Sequence, residues 1–348
     1  MGFLDLFKGK SNAKELVSVQ SVVRENVKTN PNKNSYATDY AKAIFLYAYG
    51  KASPIHQNSG YVQYLNYECG ITNPVKFHKE LIAEGYLEKS SIREILSMYK
   101  VDELKQILDS LGEKKSGKKD ELIERILQTS PGDNLAALES QHNCYSLSEK
   151  GRLFLDSHDD YVTLHLYRSH WSITVEEYED FKSKMQFQGK FNDVVWGIFN
   201  KRVLEYLNAG QFGSARCAYY NMTELLRIEE KFQAELETLL LVQFYDLCGV
   251  DALQSLSLYK QGIYTKKELS EFCFGIAFAP AIVSRIIQLQ EYYHPDMVDR
   301  LYQNIRCPIM LCTKQEFLQI LNEMFTSSMF DTEKYEKQLR KNFLKMIK

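Results

Sequence analysis

Proline and glycine are scarce in this chain, 7 and 17 residues of 348. Sandwiches and barrels need many tight turns, and turns draw on these two residues, so the scarcity argues for helices joined by short connections. No apolar run approaches the roughly 20 residues that span a bilayer, and no membrane segment is expected. The opening MGFLDLFKGK lacks the apolar stretch of a signal peptide, and Leu6 stands where a myristoylation signal requires Ser or Thr. Cysteine occurs 7 times, at Cys69, Cys144, Cys217, Cys248, Cys273, Cys307 and Cys312, with no CxxC spacing. That usage suits a reducing compartment, where a thiol acts as a small hydrophobe, and a cytoplasmic location is expected. Neither sign of charge dominates, with 43 Lys and Arg against 45 Asp and Glu. A polyanionic partner would therefore have to meet a local cluster of cations. G-x-G-x-x-G, P-loop, G-x-S-x-G and H-E-x-x-H patterns are all missing, so no catalytic residue, cofactor or metal is assigned.

What the chain does hold is apolar periodicity and aromatic bulk, with 45% hydrophobic and 13% aromatic residues. Residues 1–35 read as a polar, flexible tail. A helix is expected over 40–49, closed by Gly50, and a second over 60–69, ended at Gly70. Asn73-Pro74 supplies a capping side chain and a proline for the first turn of a third helix, which runs to Glu84 and stops at Gly85. Extended segments follow at Gly85-Tyr86-Leu87 and at Cys144-Tyr145-Ser146-Leu147, the latter leading into a helix at Ser148-Glu149-Lys150-Gly151.

Three short helices followed by strands resemble a winged-helix domain, carried by GYVQYLNYECGITNPVKFHKELIAEGYLE and CYSLSEKGRLFL. The two halves are separated by residues 91–143, which implies an insertion, with 36–90 and 141–157 forming one domain. In such a domain the helix from Asn73 would turn Phe77 and Leu81 inward, with His78 as a core or boundary histidine. Lys76 and Lys79 would point outward toward nucleic acid, and Lys150 and Arg152 would offer further phosphate contacts.

The insert carries the most specific pattern, SMYKVDELKQILDSLGEKKSGKKDELIERIL. Val101, Leu104, Ile107, Leu108 and Leu111 fall on one helical face that stops at Gly112; a second helix, beginning at Ser116-Gly117, carries Leu122, Ile123, Ile126 and Leu127. Two helices this short hold together only by burying these stripes against each other. Residues 91–130 resemble the SAP domain, a helix–extended–helix module of DNA-binding proteins. The likeness rests on Val101, Leu104-Lys105, Leu108, Gly112 and Ser116-Gly117-Lys118-Lys119 leading to Leu122, Ile123 and Arg125. Glu113 and Lys100 depart from the family pattern.

The resemblance implies DNA, or RNA, as partner. The second helix would offer its free amides at Gly117, Lys118 and Lys119, ringed by Lys105, Lys114, Lys115 and Arg125. Between Val101 and Leu127 six basic residues face seven acidic ones, a net of 6 − 7 = −1, so attraction depends on how the charges are segregated.

From residue 158 to 348 the expectation is an all-α bundle with helices over 175–186, 191–208, 213–231, 234–248, 266–274, 281–292, 295–305, 314–325 and 332–347. This part is expected to serve protein contacts or self-association. VVWGIFNKRVLEYLNAG is similar to uncharacterised proteins of bacteria and their mobile elements, which implies no activity. Asp156, His158, Asp159, Asp160, His165 and His170 lack metal-site spacing and read as a surface turn at the domain junction. The fold class expected is therefore mostly α: a winged-helix-like N-terminal domain, an inserted two-helix module and a helical bundle. A non-enzymatic nucleic-acid-binding protein is the leading reading, and a protein-docking scaffold the alternative.

Overall fold

The computed structural model describes residues 35–130, 132, 134–136, 143–185, 189–250, 252–271, 278–327 and 329–346; the expected tail, 1–34, and Cys273 lie outside them. The protein is mostly helical with one small sheet. Its described residues divide into two compact units, 35–180 and 181–346, and the division falls within the helix Val175–Lys184. Among the described residues no helix is long and apolar enough to cross a membrane.

The first unit runs α1 (Ser35–Tyr49), β1 (Ser53–Pro54), α2 (Tyr64–Tyr67), α3 (Pro74–Ala83), β2 (Leu87–Lys89), α4 (Ile92–Met98), α5 (Val101–Ser110) and α6 (Lys119–Thr129). It continues through β3 (Cys144–Leu147), α7 (Glu149–Asp156) and α8 (Asp159–Trp171). The strands form an antiparallel sheet in the order β1-β3-β2, with Ser53 opposite Tyr145 and Leu87 opposite Leu147. Helix α1 is the axis of this unit: Ala43, Ile44, Phe45 and Leu46 are all inaccessible to solvent, as expected for a helix that is apolar on nearly every side. Around Phe45 gather Tyr49, Tyr61, Phe77 and His78.

The starts and stops follow local chemistry. The Asn73 side chain accepts from the Lys76 amide at 2.9 Å, with Pro74 opening α3. The chain leaves that helix through Gly85 at φ +77°, a conformation only glycine adopts without strain. Ser148 caps α7 by accepting from the Gly151 amide at 3.1 Å, and its hydroxyl donates to the Gly85 carbonyl at 2.6 Å. Gly151 itself is pressed against the chain just ahead of β2, since a Cβ there would stand 2.1 Å from the Tyr86 carbonyl oxygen.

Helix α8 corrects one expectation. The acidic stretch read as a surface turn is a turn only at Ser157 and His158, and Asp159 already begins a helix of 13 residues. Its His165 is buried, with Nδ1 2.6 Å from Glu68 Oε1, while Tyr40 donates to the same oxygen at 2.5 Å and Arg168 pairs with Oε2 at 3.0 Å. These partners lie on and beside α1 and α2, so α8 belongs to the first unit and not to the bundle that was expected to start at 158. Among the described residues no group of three or more His, Cys, Asp or Glu is placed to hold a metal.

The second unit contains α10 (Phe191–Asn208), α11 (Phe212–Ile228), α12 (Phe232–Leu247), α13 (Ala252–Lys260), α14 (Lys266–Glu271) and α15 (Pro280–Gln288), after the end of α9 (Val175–Lys184). Helices α16 (Asp296–Asn304), α17 (Lys314–Thr326) and α18 (Thr332–Met346) complete it. Helix α12 is buried along its length, and its three embedded or half-embedded carboxylates each meet an arginine. Arg216 forks onto Asp246 at 2.7 and 2.6 Å, Arg285 onto Glu235 at 2.7 Å on both oxygens, and Arg300 reaches Glu237 at 2.9 Å. A buried charge is tolerated only when paired in this way.

Candidate nucleic-acid interface

Residues 92–129 fold as three helices, one more than the sequence pattern suggested. Leu96 of α4 closes a small core with Leu104 and Leu108 of α5 and Leu122, Ile123 and Ile126 of α6; Ile107, Leu127 and Tyr99 flank it. The expected stripe was two residues too generous, for Val101 sits in the first turn of α5 and is 38% exposed, and Leu111, at the C-cap, stays outside the core cluster. Ser91 opens α4 with a reciprocal cap, in which its hydroxyl accepts from the Glu94 amide while the Glu94 carboxylate accepts from the Ser91 amide at 2.8 Å. That Ser-x-x-Glu spacing was present in the sequence and marks the start of the missed helix. Arg93 pairs with Glu124, tying α4 to α6 and holding the Glu124 carboxyl below its usual range.

The module is seated, not tethered. Ile95 of α4 packs with Ala52 beside β1 and Cys144 of β3, and Tyr99 contacts both this cluster and the module core.

Helices α5 and α6 begin in the same unusual way. A lysine occupies each cap position, where Ser or Asp is usual, and a glutamate three residues on supplies the carboxylate: Glu103 accepts from the Lys100 amide at 2.6 Å, and Glu121 from the Lys118 amide at 3.2 Å. Helix α6 therefore starts at Lys119, two residues after the expected start. The Lys118 amide, expected to be free for an anion, is held by Glu121, whose carboxylate stands 2.5 Å from where a Cβ on Gly117 would lie. The amides of Lys119 and Asp120, in the first turn, bond no acceptor within the described residues.

The cations divide into two groups. Lys105 pairs with Asp102 at 3.6 Å and Lys115 with Asp109 at 2.5 Å. Lys119 turns back, its ammonium donating to the Ser97 carbonyl at 2.5 Å at the C-terminal turn of α4, where a positive charge suits the helix dipole. Arg125 donates to the carbonyls of Lys114 and of Ser116, the latter at 3.2 Å. Lys114 and Lys118 are exposed and make no ion pair among the described residues. An open groove lies beside them, lined by Val101, Lys105, Gln106, Asp109, Lys115, Ser116 and Gly117. The structure thus brings Lys105, Lys114, Lys115, Gly117, Lys118, Lys119 and Arg125 into one region, but among the described residues two of their ammonium groups, those of Lys114 and Lys118, have no partner.

Helix α3 carries the remaining candidates. Lys76 and Lys79 are exposed, and Lys76 pairs with Glu80 at 3.5 Å on the same face. His78 lies inside, hydrogen-bonded through Nδ1 to the Tyr61 hydroxyl at 2.9 Å; burial, with the nearby His56, pushes its pKa down to about 4. Lys150 donates to the Glu84 carbonyl at 2.7 Å, and Arg152 pairs with Glu149 at 3.6 Å, so both are used within the fold.

Residues 95–129 match the SAP domain family. That family is a nucleic-acid-binding module, and the match spans α5, α6 and most of α4. No curated protein and no solved structure matches the chain.

Proposed function

We propose that this is a non-enzymatic accessory protein that binds DNA through the SAP module, with the α3 face as a second, weaker contact. The single observation that carries the reading is the turn before α6. There Lys114 and Lys118, without ion-pair partners among the described residues, stand beside a helix start whose Lys119 and Asp120 amides bond no acceptor among them. Amides and dipole at a helix N-terminus attract phosphate, and such contacts grip the backbone of the strand without reading its bases. Six cations against seven acids, several of them already paired, make this a weak and salt-sensitive grip, about 10⁻⁴–10⁻⁶ M for a single module of this kind.

The order helix, strand, two helices, strand, strand, with β3 between β1 and β2, supports reading the first unit as a winged-helix domain. In that reading the SAP module replaces the wing between its second and third strands. The second unit, all helical, serves as the surface for protein partners. The test is retention of a labelled duplex by the full chain at low salt. Loss of retention in Lys114→Glu/Lys118→Glu with helicity intact supports the reading, and undiminished retention sinks it.

A further inference from the structure

Arg125 belongs to the same charged region, yet its guanidinium is turned toward the protein. From the second turn of α6 it reaches back across the chain, and one nitrogen, Nη1, donates to the carbonyls of Lys114 and Ser116. In a trans peptide the carbonyl and the following N–H point in opposite directions. Holding those two carbonyls therefore turns the Lys115 and Gly117 N–H groups away from the guanidinium, and neither bonds an acceptor within the described residues. Gly117, at φ +135°, supplies a backbone geometry that a side chain would resist. The turn has no strand or helix of its own to shape it.

We infer that Arg125 is a positioning residue that braces the 114–117 turn in its binding shape and does not itself meet a phosphate. This role rests on the nucleic-acid reading of the module. It also explains why the turn can present Lys114 and Lys118 on either side of the α6 start without paying the ordering entropy on each encounter. Lysine would keep the charge at this position, but its compact, strongly hydrated ammonium on a shorter stem would not reach both carbonyls.

The experiment measures binding of a labelled random-sequence duplex to the full chain across ionic strength, for wild type, Arg125→Lys and Arg125→Ala. The amide resonances of Ser116 and Gly117 are followed in parallel. Both variants should weaken binding about tenfold at the lowest salt, as for loss of hydrogen bonds from a charged donor. Both should keep the wild-type slope of log K against log salt and shift the Ser116 and Gly117 resonances. A phosphate contact would give the opposite pattern: Arg125→Lys binding like wild type, and a slope shallower by about 0.9 in Arg125→Ala. Either result, or unmoved turn resonances in Arg125→Lys, overturns the role even where Arg125→Ala folds poorly. A wild type with no salt-dependent binding refutes the nucleic-acid reading itself, and this role with it.

Discussion

Replacing Lys114 and Lys118 together by alanine should change how binding responds to salt more than it changes anything else. Each phosphate neutralised by a protein cation releases counterions and adds about 0.9 to the slope of log K against log salt. Two ammonium groups without ion-pair partners stand at the turn before α6, so the double variant should lose about 1.8 from that slope. Between 50 and 200 mM salt this is a wild-type affinity that falls about twelvefold more than the variant's. The paired lysines give the control. Lys105 lies 3.6 Å from Asp102 and Lys115 2.5 Å from Asp109, so each already has a counterion in the free protein. Their alanine variants should change the slope by less than about 0.5. Fluorescence anisotropy with one duplex over a salt series measures all four proteins. Equal slope changes for paired and unpaired lysines would refute the idea that internal pairing decides which cations bind.

Three further outcomes test the fold that holds the module. The fold keeps His78 neutral, with a pKa near 4 against an ordinary 6.5, so the unfolded chain takes up a proton that the folded one refuses as pH falls. Stability should therefore drop by about 2–3 kcal/mol between pH 6.5 and 4 from this group, and urea titrations should show that part of the pH dependence gone in His78→Gln. Gly151→Ala should destabilise the first unit by about 1–3 kcal/mol in chemical denaturation, because its new Cβ meets backbone, which yields less readily than a side chain. Arg216→Leu should cost the second unit about 3 kcal/mol by taking the guanidinium fork away from the embedded Asp246 carboxylate, and adding Asp246→Asn should recover part of the loss in thermal melts.

Much of the first unit was legible in the residues because its signals are local. Asn73-Pro74, Gly85, Gly112 and Ser148 each act within one turn of the chain, and the boundaries they mark stand within a residue or two of the observed ones. The strand at Cys144–Leu147 was readable from its own composition. Helix α13 was not, since Leu256-Ser257-Leu258 alternates with the period of a strand. Helix α8 hid behind its acids: a run such as Asp156, Asp159 and Asp160 reads as a solvated turn until the half-buried partner that His165 and Arg168 share, Glu68, about a hundred residues earlier, is known. The module's charges show the same limit. Six cations could be counted, but which of them would fold back onto Asp102, Asp109, Ser97 or the carbonyls of 114 and 116 depends on side-chain reach in three dimensions.

Tyr99 packs against two apolar clusters at once, the module core and the one that joins Ile95 to Ala52 and Cys144, and this restricts how the protein can be taken apart. A fragment trimmed to the family match would carry Ile95 and Tyr99 with one side stripped of cover, while a chain with the insert deleted would leave Ala52 and Cys144 open to water. Neither half is a clean excision, and any motion of the insert against the sheet must first break this shared seam.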